Sequence, residues 1–223
     1  ASKPMPSADR TAYIFTNHAP LDIVSGYANI SGDIIAVDEG LSRIHDLGLV
    51  PACIIGDFDS VDPELLSLYA NIPIVRHQPE KNETDTELAL RECIRLGIYN
   101  EIVICNDMQG RFDHALGILQ NLLMLHEQGV SARVESAFQI LLFISQSVKL
   151  SVTPQSLLSL LPWSDEVHFS DSRGLAYPLT DLCIKRSQSR GISNICLDPE
   201  PQIMLDSGIA LAIITPPHPS RNA

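Results

Sequence analysis

Two aspartates stand two positions apart in Gly56-Asp57-Phe58-Asp59-Ser60, directly after the apolar run 52–55. In a parallel α/β sheet, the loops beyond the carboxyl ends of the strands form the ligand crevice. Gly56 permits a turn there, and carboxylates at i and i+2 can converge on one cation. Taken alone, the pair also fits ordinary turn chemistry, because Asp is a common loop residue. A third acid shifts the balance. In Thr84-Asp85-Thr86-Glu87, Thr84 and Glu87 have the N-cap and N3 spacing of a capping box. Asp85 then falls in the first helical turn, where the helix dipole favours an anion. It stabilises a helix start on that reading. Beside Asp57 and Asp59 it is also a third carboxylate at the end of a neighbouring βα unit. Hard oxygen donors without a Cys/His cluster suit Mg²⁺ better than zinc.

Gln109-Gly110-Arg111-Phe112-Asp113-His114 adds complementary chemistry where a strand gives way to a helix. Free N–H groups at a helix start attract phosphate, and Gly110 allows close backbone approach. The planar fork of Arg111 suits phosphate oxygens. Asp113 can orient a ligand or a metal-bound water. His114 is either a site residue or a helix-capping imidazole. Lys81 is either a phosphate contact or a solvated loop lysine. These acids, cations and helix starts, all expected on one sheet edge, suit Mg-nucleotide binding. There is no GxxxxGK[ST] loop, no GxGxxG after a strand and no GxSxG elbow. The site is therefore not a P-loop, and dinucleotide and serine-hydrolase chemistry lack support.

The elements that must hold these residues follow from periodicity. Strand candidates at 11–16, 33–37, 52–55, 72–76, 101–105 and 132–135 alternate with helix candidates at 41–47, 63–70, 86–96 and 112–128. Short, nearly continuous apolar strands between helices read as βαβ units around a buried parallel sheet. Beyond residue 137 the pattern changes to β segments at 140–145, 148–152, 156–161, 166–169, 176–179, 182–186, 193–197, 202–205 and 209–214. Turn residues separate them, as in an all-β sandwich. The expected organisation is an N-terminal parallel-sheet α/β domain, residues 1–137, followed by a C-terminal all-β sandwich domain, residues 138–223.

Composition agrees. The 223 residues include 27 Asp and Glu against 15 Lys and Arg, a net charge of −12. Such a surface repels phosphate backbones, so no nucleic-acid partner is expected. A hydrophobic fraction of 45% excludes a disordered chain. Residues 1–130 hold 19 acids against 8 bases, and residues 131–223 hold 8 against 7. The carboxylates thus concentrate in the half that carries the expected cation site. The apolar runs fall short of the roughly 20 residues a membrane span needs, so no membrane partner is expected. Five cysteines form no CxxC pair. They read as free thiols of a reducing cytoplasm. Residues 1–10 show no basic and apolar leader pattern, so no export signal is expected.

In this order, Gly56 to Ser60, Lys81 with Thr84-Asp85, and Gly110 to His114 resemble the signature of the thiamine pyrophosphokinase family. The resemblance continues at Asn17, Val37-Asp38-Glu39-Gly40, Ser159-Leu160-Leu161-Pro162, residues 174–179 and Ser193-Asn194, and so covers nearly the whole chain. It implies an α/β catalytic domain followed by a β-sandwich domain, in agreement with the periodicity. It implies transfer of a pyrophosphoryl group from ATP to the hydroxyethyl group of thiamine, giving thiamine diphosphate and AMP. It implies a homodimer whose thiamine pockets each lie between the α/β domain of one subunit and the β domain of the other. Carried over by motif, Asp57, Asp59 and Asp85 resemble the Mg²⁺ and phosphate-site acids. Arg111, Asp113 and His114 resemble nucleotide-site residues, with Asn17, Asp38, Gly40, Lys81, Thr84 and Gly110 on the same ATP side. Tyr177, Ser193 and Asn194 resemble the thiamine-side wall.

Four positions depart from the family pattern. Glu39 and Gln109 each stand where a Gly is usual, His18 stands where a Gly is expected, and Ile118 stands where an Asn is usual. Each change alters the surroundings of the expected nucleotide. They motivate other readings: a pyrophosphokinase for another heterocyclic alcohol such as a hydroxymethyl pterin, or a non-catalytic nucleotide or thiamine sensor. A metal-dependent phosphohydrolase is a further one, since paired acids also serve two-metal sites. On the main reading, Asp57, Asp59 and Asp85 hold Mg²⁺ and Arg111 neutralises charge at the transferred group. Tyr177 lies against the thiamine ring, Ser193 and Asn194 offer it hydrogen bonds, and Trp163 either lines that region or belongs to the core.

Overall fold

A computed structural model of the chain describes residues 10–59, 61–76 and 83–217. The chain divides into two units, residues 1–137 and 138–223. In the first, the β-rich runs become six strands: β1 (Thr11–Phe15), β2 (Asp33–Val37), β3 (Cys53–Gly56), β4 (Ile74–Arg76), β5 (Glu101–Cys105) and β6 (Ser131–Glu135). Four helices alternate with them: α1 (Gly40–Asp46), α2 (Pro63–Leu68), α3 (Asp85–Leu96) and α4 (Phe112–Glu127). The strands lie in the order β6-β5-β1-β2-β3-β4 and every pairing is parallel. The order reverses at β1, which has β2 on one side and β5 on the other. A crevice therefore opens beyond the carboxyl ends of β1 and β5.

Burial on both faces explains why these strands are apolar throughout. Tyr13, Phe15, Ala36, Ile54, Val103 and Cys105 form one cluster with Leu41 and Ile44 of α1. The alternate residues Ala12, Ile14, Ile35, Ile102 and Ile104 are equally buried. Helix α3 packs on β1, β2 and β3, and α4 packs on β6 and on α3. The helix starts are locally encoded. Asp62 caps α2 by accepting from the Glu64 N–H, ahead of Pro63 in the first turn. Thr84 caps α3 by accepting from the Glu87 N–H at 3.2 Å. The capping box is only half made, because the Glu87 carboxylate pairs with Arg91 at 2.7 Å. Gly97, at φ 62, ends α3 in the left-handed conformation. Gly40 has a packing reason as well. A Cβ there would strike the Phe15 carbonyl, so α1 starts in contact with the end of β1.

The second unit holds two antiparallel sheets. One has the order β12-β9-β14-β7, built from β7 (Ile140–Ile144), β9 (Leu157–Pro162), β12 (Asn194–Ile195) and β14 (Ala210–Thr215). The other has the order β11-β10-β13-β8, built from β8 (Val148–Lys149), β10 (Glu166–Arg173), β11 (Leu182–Lys185) and β13 (Gln202–Ser207). Alternate residues of the two sheets, such as Leu158, Leu160 and Ala212 from one and Val167, Phe169 and Ile203 from the other, share one core. The fold class is thus a parallel-sheet α/β unit followed by an all-β sandwich. One expected strand is absent. Residues 176–179 form a loop, because the Asn194 side chain, and not a strand, bonds the Tyr177 backbone.

Candidate active site

Three acids gather beyond the sheet's carboxyl ends. Asp38 is the first residue after β2, Asp57 the first after β3, and Asp85 the first of α3. One carboxylate oxygen from each lies within 4.8 Å of the other two. The metal set expected from the sequence is Asp57, Asp59 and Asp85, and one of these lies outside the group. The expected third member, Asp59, is exposed, and its N–H donates to Asp57 Oδ1 at 3.2 Å. Phe58 between them takes the left-handed conformation (φ 61) and is buried, so the turn carries Asp59 outward. Asp38, expected on the nucleotide side, joins Asp57 and Asp85 in the group. An acid directly after an apolar strand was the available signal, the same signal that marked Asp57.

Backbone and side chain both pin Asp38. Its N–H donates to the Ile55 carbonyl at 3.0 Å, and its own carbonyl accepts from the Leu41 N–H at 3.1 Å. It is a non-glycine residue at positive φ (45°), a strained conformation of the kind that gathers at functional sites. Gly56 makes room for it: a Cβ at Gly56 would fall inside the Asp38 carboxylate. The Asp38 carboxyl is pushed up to about 7, first by burial and then by the negative charges of Asp85 and Asp57, against one stabilising bond from the Phe58 N–H. Three carboxylates this close repel one another unless a proton or a cation sits among them. Their hard oxygens and mutual distances fit a divalent ion such as Mg²⁺.

The crevice between β1 and β5 is framed by two tied loops. Asn106 donates from Nδ2 to Thr16 Oγ1 at 2.9 Å and accepts the Met108 N–H at 2.8 Å. The Asp107 N–H donates to the His18 carbonyl at 2.8 Å. Asp107 Oδ1 is buried and has no hydrogen-bond partner among the described residues. Sequence reasoning passed over Asn106 and Asp107, which belong to no motif. Asn17 and Gly110 are both exposed on these loops, and Gly110, at φ 84, turns the chain into α4. Arg111 and Asp113 form an exposed ion pair at 2.6 Å, which holds the Asp113 carboxyl below its usual range. His114 is exposed and meets His18 edge-on, with ring centroids 6.4 Å apart. Ile118 is buried on the core side of α4, so that departure replaces a polar residue with packing. Lys81 and Ser60 lie outside the described residues.

In the second unit, Tyr177 is 65% exposed. Asn194 is buried, and its side chain accepts the Tyr177 N–H at 3.0 Å and donates to the Tyr177 carbonyl at 2.7 Å. Its amide is therefore committed to the backbone of the Tyr177 loop. Ser193, at φ 59, is exposed, and its N–H donates to Ser159 Oγ at 3.0 Å. Trp163 is half-buried, its ring edge-on to Phe143.

Comparison with known proteins converges on one family. Residues 27–134 match the family model described as thiamin pyrophosphokinase, catalytic domain. The chain is 27% identical over 194 residues to the thiamine pyrophosphokinase of Bacillus subtilis, covering 85% of this chain and 90% of that protein. It is 23% identical over 154 residues to thiamin pyrophosphokinase 1 of Caenorhabditis elegans, covering 65% of this chain and 62% of that one. In fold, it is similar to the crystal structure of the Bacillus subtilis thiamine pyrophosphokinase, with a TM-score of 0.83, 24% identity, and coverage of 94% of this chain and 100% of that one. Yeast thiamin pyrophosphokinase gives a TM-score of 0.77 at 15% identity, covering 94% and 87%.

Proposed function

We propose that this chain, which belongs to the thiamine pyrophosphokinase family, transfers the pyrophosphoryl group of Mg-ATP to the hydroxyl of thiamine, releasing thiamine diphosphate, AMP and a proton. The observation that carries the proposal is the convergence of Asp38, Asp57 and Asp85 from three separate connections. An acidic crevice repels a triphosphate. Asp38, Asp57 and Asp85 would hold Mg²⁺ there, and the ion would supply the positive charge that lets the same crevice accept one.

The chain's own residues do the rest. Asp57 and Asp85, half-buried, and Asp38, buried, fix the ion's place. Asp59, exposed on the same turn, is a further acid for the metal and phosphate side. Arg111 exchanges its partner Asp113 for a phosphate oxygen and stabilises charge on the transferred group. His114, Asn17, Gly110, Thr84 and Lys81 serve the nucleotide side. Phosphoryl transfer depends chiefly on positioning and electrostatics, and this constellation provides both. Tyr177 offers a flat face to the thiamine ring, and Ser193 a hydrogen bond. The active form is a homodimer in the cytoplasm, with the acids of one subunit serving a thiamine held by the second unit of its partner.

Mg-ATP and thiamine incubated with the enzyme, followed by chromatography, test this. Equimolar AMP and thiamine diphosphate support it. Inorganic phosphate without acceptor, or ATP binding without AMP, contradicts it.

A further inference from the structure

A cleft of about 280 Å³ lies between α3 and α4, lined by Thr84, Glu87 and Arg91 from one helix and Gly117, Gln120, Asn121 and Met124 from the other. It begins at Thr84, one residue before Asp85 of the acid cluster. Two features of α4 find no reason among the described residues. Asn121 is only 7% exposed and sits on the helix face that also buries Ile118, Leu122 and Leu125. The Asn121 side-chain amide is held by no side-chain hydrogen bond to another described residue, and it lines the cleft. Gly117 stands inside the helix, where glycine is the poorest former after proline. A Cβ there would meet nothing within 4 Å, so packing does not demand glycine. Both residues border the same empty volume.

We propose that the cleft receives the purine base of the nucleotide and that Asn121 reads its edge. The proposal rests on the triphosphate reading of the acid cluster for the ligand's orientation. The lining argues for a base over a phosphate or sugar. The one cation among the described lining residues, Arg91, is paired with Glu87 at 2.7 Å, so the lining favours a neutral group over an anion. A side-chain amide offers one donor and one acceptor, the pair that matches adenine N7 and N6. Bare backbone at Gly117 lets a flat ring approach closely, and the thioether of Met124 is a favourable neighbour for an aromatic ring.

Three probes separate this from the reading it rests on: ATP, adenosine and inorganic tripolyphosphate, each titrated by calorimetry with Mg²⁺ present. Variants are Asn121→Leu and Gly117→Leu, the second of which replaces a poor helix former and so leaves the fold intact. The proposal expects both variants to lose about tenfold or more in affinity for ATP and adenosine, with tripolyphosphate affinity unchanged. It also expects Asn121→Leu to erase the preference for ATP over GTP. Unchanged ATP and adenosine affinity in both variants overturns it. Failure of the parent protein to bind tripolyphosphate overturns the acid-cluster reading instead, and the adenosine titration still decides the cleft.

Discussion

The geometry of Asp38 makes its proton a probe of the site. The carboxyl titrates near 3.8 in an unfolded chain and near 7 in the fold. The folded protein thus holds this proton more tightly than the unfolded one. That contribution to stability is complete below about pH 4 and is lost as pH rises through 7. Metal-free protein is therefore expected to melt at falling temperature between about pH 4 and 7, more steeply than the Asp38→Asn variant, and Mg²⁺ should restore most of the loss above pH 7. Identical slopes for parent and variant in scanning calorimetry would show that Asp38 is not held against other acids. The same repulsion predicts the kinetics. Asp57→Asn and Asp85→Asn should each lower turnover about 100-fold or more, as for the loss of a charge-stabilising group, while the metal-free melting temperature stays level or rises. A variant with normal AMP release would remove that acid from the machinery.

Elements place these residues, and glycines and caps place the elements. Gly56→Ala puts a methyl where the Asp38 carboxylate lies. It should cost fold stability and abolish the Mg²⁺-dependent rise in melting temperature together; a stable Gly56→Ala protein that still responds to Mg²⁺ would contradict the close approach. Thr84→Ala should cost about 1 kcal/mol, read from denaturant midpoints, because one cap at the start of α3 is lost. Asn194→Ala should raise the KM for thiamine and leave the KM for ATP unchanged, since its amide holds the Tyr177 loop. These elements differ in how far the sequence discloses them. The parallel strands are legible because burial on both faces forces continuous apolar runs, and Asp57 and Asp85 are legible because each follows such a run or opens a helix. The loop at 176–179 is not, because the Tyr177 backbone is held by the side chain of Asn194, distant in sequence. Nor is the gathering of Asp38 with Asp57, which depends on the positive φ of Phe58 and on two strands lying side by side.

At the scale of the whole molecule, the proposal assigns metal and nucleotide to the α/β unit and the thiamine wall to the β unit of a partner copy. Mixing two inactive variants tests that division. Asp85→Asn and Tyr177→Ala subunits, denatured and refolded together, should recover up to about a quarter of parental activity, because half of the molecules are mixed dimers with one intact site. No recovery, or full activity in a species that sediments as a monomer, would place both halves of the site in one subunit. The central claim is simpler still: three acids from separate connections make an acidic crevice into a site for a metal-bound triphosphate. Its most direct test is the product ratio from purified parent protein and Asp85→Asn with ATP, thiamine and either Mg²⁺ or a chelator. Equimolar thiamine diphosphate and AMP from the parent, lost with the chelator and in the variant, is the predicted result. Product that persists without the metal or without Asp85 contradicts it.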